Sequence, residues 1–200
     1  MTGVIISAEW CDRNPLQVAP DLIGCTLARQ LHNETIRGII IETEAYCTND
    51  PACHAYRGKT ASNAAMFGPP GHSYVYFIYG MYHCFNVVTQ PANTGSAVLI
   101  RAIELSQLPK GLDPKYTKQG KRVAAGPGKL CRTLDIDRNH NALPLIPTHQ
   151  LWLEHRTAQF QNQLDQGQET LIQTTRIGIS KAAEKPWRWY LKDHPSVSKQ

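Results

Sequence analysis

The chain has 200 residues, of which 42% are hydrophobic and 18% charged, and its formal net charge is +5 at neutral pH. These values are typical of one globular domain, expected to span residues 1–200 with a loose tail at 194–200, and they disfavour disorder elsewhere. The basic excess favours a polyanionic partner without establishing one. No apolar run approaches the roughly 18 residues of a membrane span, and Glu9 comes too early for a secretory signal, so neither membrane insertion nor secretion is expected.

The six cysteines are scattered along the chain and form no CxxC pair. Reduced thiols are therefore the expectation. Cys47, Cys53 and His54 could in principle share a zinc ion, but the recurrent ligand spacings and a second cysteine pair are missing. No metal site is therefore expected.

The first elements in the chain predict the opening of a β-sheet. Pro15 to Ile23 has the apolar spacing of a short helix that ends at Gly24. Cys25 to Leu31 and Thr35 to Glu44 follow as two strands of a hairpin. From Asn49 to Gly71 the chain is polar and rich in Pro and Gly, so it predicts a long loop with one possible helical turn near residues 63–66.

Three further strands are predicted in the middle of the chain. Ser73 to Ile78 and Tyr82 to Thr89 are rich in aromatic and β-branched residues, and residues 79–81 between them form a tight turn. Tyr79 would then stand at the tip of a hairpin. Ala97 to Leu105 is a third apolar strand, and Arg101 within it requires a buried partner.

The next segment is basic. Lys110 to Arg122 predicts a loop that leads through Gly126-Pro127-Gly128-Lys129 to a short helix over Leu130 to Leu134. Loop amides and a lysine beside a helix start suit a phosphate, although an ordinary capped helix explains the same residues equally well.

The last elements predict one strand, one loop and a packed aromatic segment. Leu151 to Glu154 is typical of a strand, and the glutamine-rich stretch from Gln159 to Gln168 is typical of a surface loop. Residues 175–179 should return toward the core. Trp187, Trp189 and Tyr190 are expected to be core residues because such bulky side chains are usually buried.

Candidate catalytic carboxylates lie at the end of the second predicted strand. Glu42 and Glu44 point to the same face if the chain stays extended, and two carboxylates on one face are typical of glycoside hydrolysis. A single carboxylate could instead orient and deprotonate the water that breaks a bond between a base and a sugar. That reaction needs aromatic side chains to hold the extruded base, which the downstream tyrosines supply. Arg101 could pair with Glu44 and hold it ionised.

Several segments in chain order resemble the alkyladenine (3-methyladenine) DNA glycosylase family, also called the methylpurine-DNA glycosylases. The resemblance runs from the Asp21–Gly24 segment to the Lys185–Tyr190 segment, which is nearly the whole chain. It is carried by Ile41–Tyr46, His54, Met66–Phe67, Tyr74–Tyr82, Asn86, Val98–Ala102, Gly126–Cys131 and Arg176–Ile179.

The resemblance implies an α+β fold: a single mixed domain around a curved, largely antiparallel sheet with a protruding hairpin and no helix-hairpin-helix motif. It implies an enzyme that excises alkylated purines from double-stranded DNA, without a cofactor. Glu44 would activate the water with help from Arg101 and a backbone carbonyl near Ile177 to Ile179. The remaining implied residues are Tyr46, His54 and Tyr76 as walls of the base pocket, Asn86 as its guard against guanine, and Tyr79 as the intercalating residue.

Lys129, Gly128 and Arg57 are expected to contact the DNA backbone. Many family members have an arginine where this chain has Ser62, which puts one possible backbone contact in doubt. A monomer is expected, in the cytoplasm with the nucleoid if the source is bacterial and in the nucleus if it is eukaryotic. Two alternatives stay open: a binding module that uses tyrosine platforms, and a bifunctional glycosylase with Lys129 as nucleophile.

Overall fold

The computed structural model describes residues 3 to 199, in which eight strands form one antiparallel sheet that is not closed into a barrel. The strands are β1 (Thr26–Leu31), β2 (Glu34–Tyr46), β3 (Ser73–Ile78), β4 (Tyr82–Thr89), β5 (Ser96–Leu105), β6 (Leu151–Glu154), β7 (Leu171–Thr174) and β8 (Arg188–Leu191). Their order in the sheet is β3-β4-β5-β2-β1-β6, and β8 pairs with both β2 and β7. With its few short helices, the molecule has the α+β fold that was predicted.

The long strand β2 organises the sheet. One of its edges pairs with β5 from Gly38 to Tyr46, and its other edge pairs first with β1 and then, from Glu42 to Glu44, with β8. Irregular register between Ile40 and Thr43 marks a β-bulge, which bends a strand and re-aims its side chains. Both edges of β2 are therefore covered where the two glutamates lie, and both side chains are fully buried.

The hairpin of β3 and β4 has the predicted bounds and turn. Tyr79 and Gly80 both have positive φ, at 55° and 68°, and Met81 N donates to the carbonyl of Ile78 at 3.3 Å. Glycine adopts this conformation without steric cost, whereas a tyrosine there is uncommon. Tyr79 is 77% exposed at the hairpin tip, as predicted.

The helices are short and lie around the sheet. The α-helices are α1 (Ala8–Cys11), α2 (Pro15–Asp21), α3 (Pro114–Thr117), α4 (Pro127–Thr133) and α5 (Ala158–Asp165). Single 3-10 turns occur at Ala64–Phe67, Gly120–Arg122, Arg138–His140 and Pro147–His149. None of the helices in residues 3–199 has the length and apolar character needed to cross a membrane.

The predicted loop from Asn49 to Gly71 is irregular apart from its one 3-10 turn. It is nevertheless anchored, because Cys53, Ala55 and Met66 form a second small apolar cluster with Tyr74 of β3. Asn63 closes the loop from within: its side chain accepts from Thr60 N at 2.7 Å and donates to the carbonyl of His54 at 2.9 Å. The segment that carries His54 is thus held in place by packing and hydrogen bonds.

Two predicted loops contain helices instead. The glutamine-rich stretch forms α5, which Thr157 caps by accepting from Phe160 N at 3.1 Å. Phe160 and Leu164, four residues apart on one face, pack against the main core, and this burial outweighs the polar composition. The basic loop from Lys110 to Arg122 likewise contains α3 and a 3-10 turn. The prediction of irregular structure was wrong for both segments.

The prediction of a loose tail from residue 194 was also wrong over the described residues 194–199. Ser196 and Val197 are buried, with 0% and 2% exposure. Ser198 N donates to Glu42 Oε2 at 2.7 Å, which ties the segment to the centre of the sheet. A buried carboxylate requires such donors, so the tail is ordered by the charge that it covers. Residue 200 lies outside the described part of the chain.

Candidate active site

A pocket of about 520 Å³ opens where β2 and β5 meet the β3–β4 hairpin, α4 and the segment after β7. Its lining brings together residues that lie far apart in the chain. Among the predicted site residues, it includes Glu44, Tyr46, His54, Tyr76, Tyr79, Asn86, Arg101, Gly128 and Lys129. Arg57 lies outside this lining, on an exposed part of the 49–71 loop.

The carboxylate of Glu44 is buried beneath the pocket and surrounded by donors. Oε1 accepts from the backbone N–H of Ile177 at 2.8 Å and lies 3.2 Å from the guanidinium of Arg101, while Oε2 accepts from the Tyr46 hydroxyl at 2.8 Å. Donors on both oxygens hold the carboxylate in one orientation. A carboxylate has about four acceptor positions, so these three partners leave capacity to bind a water molecule.

The groups beside Glu44 are held in the protonation states that support its charge. Burial, followed by the nearby Glu44 carboxylate, raises the pKa of Tyr46 well above its usual value, so its hydroxyl stays protonated and donates. Burial alone would lower the pKa of Arg101, but the carboxylates of Glu44 and Glu42 more than offset this and raise it. The predicted pairing of Arg101 with Glu44 is present.

Glu42 has a different environment from Glu44, although both contact Arg101. It does not line the pocket, and its Oε1 accepts from Arg101 Nε at 2.9 Å and from Arg188 at 2.8 Å. The Ser198 hydroxyl also donates to this oxygen, at 2.8 Å. Among the described residues, Glu44 is therefore the single carboxylate in the pocket lining, which disfavours a hydrolase that needs two carboxylates beside one bond.

Aromatic rings form the walls of the pocket. The rings of His54 and Tyr76 lie edge to face, with their centroids 4.6 Å apart. His54 Nδ1 lies 2.8 Å from the hydroxyl of Tyr74, which fixes the imidazole from behind. Burial lowers the pKa of His54, which favours the neutral ring. Burial also raises the pKa of Tyr76, so this side chain presents a neutral aromatic face.

Asn86 lies at the back of the pocket and is 3% exposed. Its side-chain nitrogen donates to the carbonyl of Tyr74 at 2.9 Å, and a longer contact of 3.4 Å reaches the carbonyl of Cys84. Because the amide is held by the backbone of the hairpin, it cannot move freely away from an incoming group. A larger molecule in the pocket would meet a rigid polar side chain.

The rim between the hairpin and α4 is basic and closely packed. A Cβ atom at Gly128 would lie 2.8 Å from the ring of Tyr82, so this approach of α4 to the hairpin requires glycine. Burial, and then the charges of Arg122 and Arg132, lowers the pKa of Lys129. Several cations therefore share this rim, which suits a polyanion.

Some contributors to the site were not predicted. The backbone N–H of Ile177 on Glu44 carries no side-chain signal, although the segment was expected near the site through a carbonyl. Arg176 is buried beside it, pairs with Asp50 and lies over the ring of Tyr46 at 4.7 Å. Ser62 is on the exposed surface, where its hydroxyl lies 3.0 Å from that of Thr60.

The possible zinc ligands are used in other contacts. His54 is held by Tyr74, and Cys53 Sγ lies 3.9 Å from the sulfur of Met66. The cysteines are free and buried. Within residues 3–199, no group of three or more His, Cys, Asp or Glu side chains has an arrangement suited to a metal ion.

The sequence model of the methylpurine-DNA glycosylase family matches residues 9–195 of the chain. A protein from Trichodesmium erythraeum is 51% identical over 98% of both chains. A protein from Synechococcus sp. strain JA-3-3Ab is 49% identical over 95% of this chain and 97% of its own. One from Carboxydothermus hydrogenoformans is 43% identical over 98% of this chain and 100% of its own. Each of these relatives carries a provisional name as a 3-methyladenine DNA glycosylase.

Proposed function

Because the chain belongs to the methylpurine-DNA glycosylase family, we propose that it flips 3-methyladenine and related alkylated purines out of duplex DNA and hydrolyses their bond to the sugar. The product would be an abasic site. The observation that carries this proposal is the buried Glu44 carboxylate in an aromatic-walled pocket, with donors on both of its oxygens. We further propose that one domain acts as a monomer and without a cofactor.

The proposed reaction uses water as the nucleophile. As the bond from C1′ to the base nitrogen breaks, its electron pair leaves with the base, and an alkylated base that carries a positive charge departs neutral. Glu44 stabilises the positive charge that develops on the sugar and accepts the proton of the water whose oxygen bonds to C1′. Arg101 holds this carboxylate in place, and a backbone carbonyl near Ile177 to Ile179 would complete the water site.

The aromatic walls would hold the extruded base. Tyr46, Tyr76 and His54 offer faces and edges against which a flat purine can stack, and stacking is favourable for electron-poor, cationic rings. Asn86 would exclude guanine, because the exocyclic amino group of that base would meet a side chain held by the backbone. Neutral lesions would need protonation before they could leave, so cationic lesions are the preferred substrates.

The exposed hairpin and the basic rim would grip the DNA around the extruded nucleotide. Tyr79 at the tip is placed to enter the gap in the minor groove, in the manner of apolar wedges that compensate for lost stacking. Lys129, the backbone of Gly128 and, on the outer loop, Arg57 would contact phosphates on either side.

Replacing Glu44 with Gln tests the chemistry directly. The amide keeps the size of the side chain but cannot take the proton, so release of 3-methyladenine from methylated duplex DNA should fall by about 10²- to 10⁴-fold. Released bases are separated by chromatography under single-turnover conditions. Glu9→Gln, at an exposed residue of α1, is the matched control and should release bases at the wild-type rate. Normal release by Glu44→Gln would refute the mechanism.

A second candidate is a bifunctional glycosylase that attacks the sugar with Lys129. The observation in its favour is the lowered pKa of Lys129, since a lysine must be neutral to act as a nucleophile. Borohydride would then trap a covalent adduct between protein and DNA. Full base release without trapping excludes this candidate, whereas DNA binding without base release would instead identify a binding module.

A further inference from the structure

The segment of residues 195–199, here called the 195–199 strap, crosses the outside of the sheet beside the buried glutamates. The guanidinium of Arg122 binds the backbone of this strap. Its Nη1 donates to the carbonyls of Pro195 and Val197 at 3.0 and 3.1 Å, and its Nη2 donates to the carbonyl of Ser198 at 3.2 Å. The Arg188 guanidinium donates to the carbonyl of Lys199 at 2.8 Å. Two arginines from different parts of the chain thus hold one short segment.

Ser198 connects the strap to the buried charges of Glu42 and Arg101. Its backbone N–H donates to Glu42 Oε2 at 2.7 Å, and its hydroxyl donates to Glu42 Oε1 at 2.8 Å. The same hydroxyl accepts a hydrogen bond from Arg101 Nη2 at 3.2 Å. Ser198 therefore contacts both members of the Glu42–Arg101 pair, although it does not line the pocket.

Arg101 is shared between two carboxylates through separate nitrogens. Its Nε donates to Glu42 Oε1 at 2.9 Å, and its Nη1 lies 3.2 Å from Glu44 Oε1. The position of Glu42 therefore affects the contact between Arg101 and Glu44. With all three of its nitrogens engaged, the guanidinium is held in one orientation. A change in the partners of Glu42 must alter the balance between the two contacts.

We propose that the 195–199 strap positions the active site, and that Ser198 is a positioning residue whose hydrogen bonds to Glu42 keep Arg101 in contact with Glu44. This inference rests on the proposed function, because it assumes that Glu44 is the catalytic base. Ser198 acts through Glu42 and Arg101 and does not touch the substrate.

Loss of the Ser198 hydroxyl leaves Glu42 with fewer donors in a buried site. With one donor fewer, the Glu42 carboxylate draws Arg101 toward itself and away from Glu44, because attraction between charges is strong where water is excluded. The other titratable groups that face Glu44 are Tyr46 from β2, Cys84 from β4 and Arg176 from the segment after β7. None of them contacts Ser198, so the effect of the hydroxyl passes through Arg101.

The test compares two serines of the same strap. Ser198→Ala removes the hydroxyl that contacts Glu42 and Arg101, whereas Ser196→Ala removes a buried hydroxyl that has no hydrogen-bond partner within residues 3–199. Single-turnover release of 3-methyladenine is measured from pH 5 to pH 9 with enzyme in excess over methylated duplex DNA. Ser198→Ala should lower the rate near neutral pH about tenfold and move the acidic limb of the pH–rate profile to higher pH by about half a unit or more. Ser196→Ala should match the wild type in both.

A purely structural role would lower the melting temperature without moving the acidic limb, and that result would overturn the proposal. Arg122→Gln provides a second variant at an exposed residue, which loosens the strap without changing a direct partner of Glu42. It should move the limb in the same direction by a smaller amount, and an unmoved limb in both variants would reject the inference. Glu44→Gln, assayed in parallel, separates the two proposals: if it is inactive while Ser198→Ala behaves as wild type, only the role of the strap fails.

Discussion

Replacing Asp50 with Asn should destabilise the protein strongly, because it leaves the buried cation of Arg176 without its counter-charge. Both side chains of this ion pair are fully inaccessible to solvent. Both terminal nitrogens of Arg176, Nη1 and Nη2, donate to the Asp50 carboxylate, and the bond from Nη2 is 3.1 Å long. The guanidinium also lies near the rings of Tyr46 and Trp187. Burial by itself would lower the pKa of Arg176, and Asp50 more than offsets this to keep the group charged.

The magnitude follows from what the amide can and cannot replace. Removing one partner of a buried ion pair costs about 3–5 kcal/mol. Asparagine keeps the shape of the side chain and one acceptor oxygen, so the loss should be near the lower end, about 3 kcal/mol. For a domain of this size each kcal/mol corresponds to about 2–4 °C in melting temperature, which predicts a fall of about 6–12 °C.

Thermal unfolding followed by circular dichroism at neutral pH measures this difference. Asp113→Asn is the matched control, since Asp113 also pairs with a basic residue, Lys115, but at the exposed start of α3. Asparagine caps a helix as well as aspartate does, and exposed ion pairs contribute little, so the control should melt with the wild type. If Asp50→Asn also melts within about 2 °C of the wild type, the buried charge is not uncompensated and the reasoning is refuted.

Two further predictions concern the hairpin tip and the buried thiols. Tyr79→Ala should reduce release of 3-methyladenine from duplex DNA by about tenfold or more, and release from single-stranded DNA much less, because only the duplex needs a residue to fill the gap left by the flipped nucleotide. Equal losses on both substrates would contradict the intercalating role. Burial raises the pKa of Cys11 from 9.0 to about 12, so the unfolded chain loses this proton first and stability falls as pH rises from 9.0 toward 12. Urea unfolding of reduced protein between pH 8 and pH 11 should show that Cys11→Ala removes about 1.4 kcal/mol per pH unit of this decline, and an unchanged slope would refute the assignment.

Local sequence patterns predicted the strands well wherever the side chains themselves impose extended structure. The β3–β4 hairpin was located correctly because aromatic and β-branched residues flank a turn that contains Gly80. β6 was also located correctly, over Leu151 to Glu154. Most of the site residues that the resemblance implied line one pocket, so the motifs in the sequence predicted which residues form the site.

Patterns of polarity failed where a small number of contacts overrides composition. The glutamine-rich segment is helical because two apolar residues, Phe160 and Leu164, bury one face of it. β7 was not recognised because Leu171 to Thr174 is short and only partly buried, and because its extended structure depends on pairing with β8. Such elements depend on neighbours that a local pattern does not contain.

By itself, the sequence determined the class of fold, the strands around the site, and the residue types that form a pocket with one acid and several aromatic rings. The resemblance already implied Glu44 as the acid, but only the tertiary structure showed what holds Glu42 outside that pocket, namely a bulge in β2 and the pairing of Glu42 with Arg188 and Ser198, which are distant in the chain. It also decided that residues 194–199 are ordered and that the backbone of Ile177 holds Glu44. A buried charge must be satisfied by whatever donors the fold brings to it, and backbone donors and distant side chains leave no mark in local sequence.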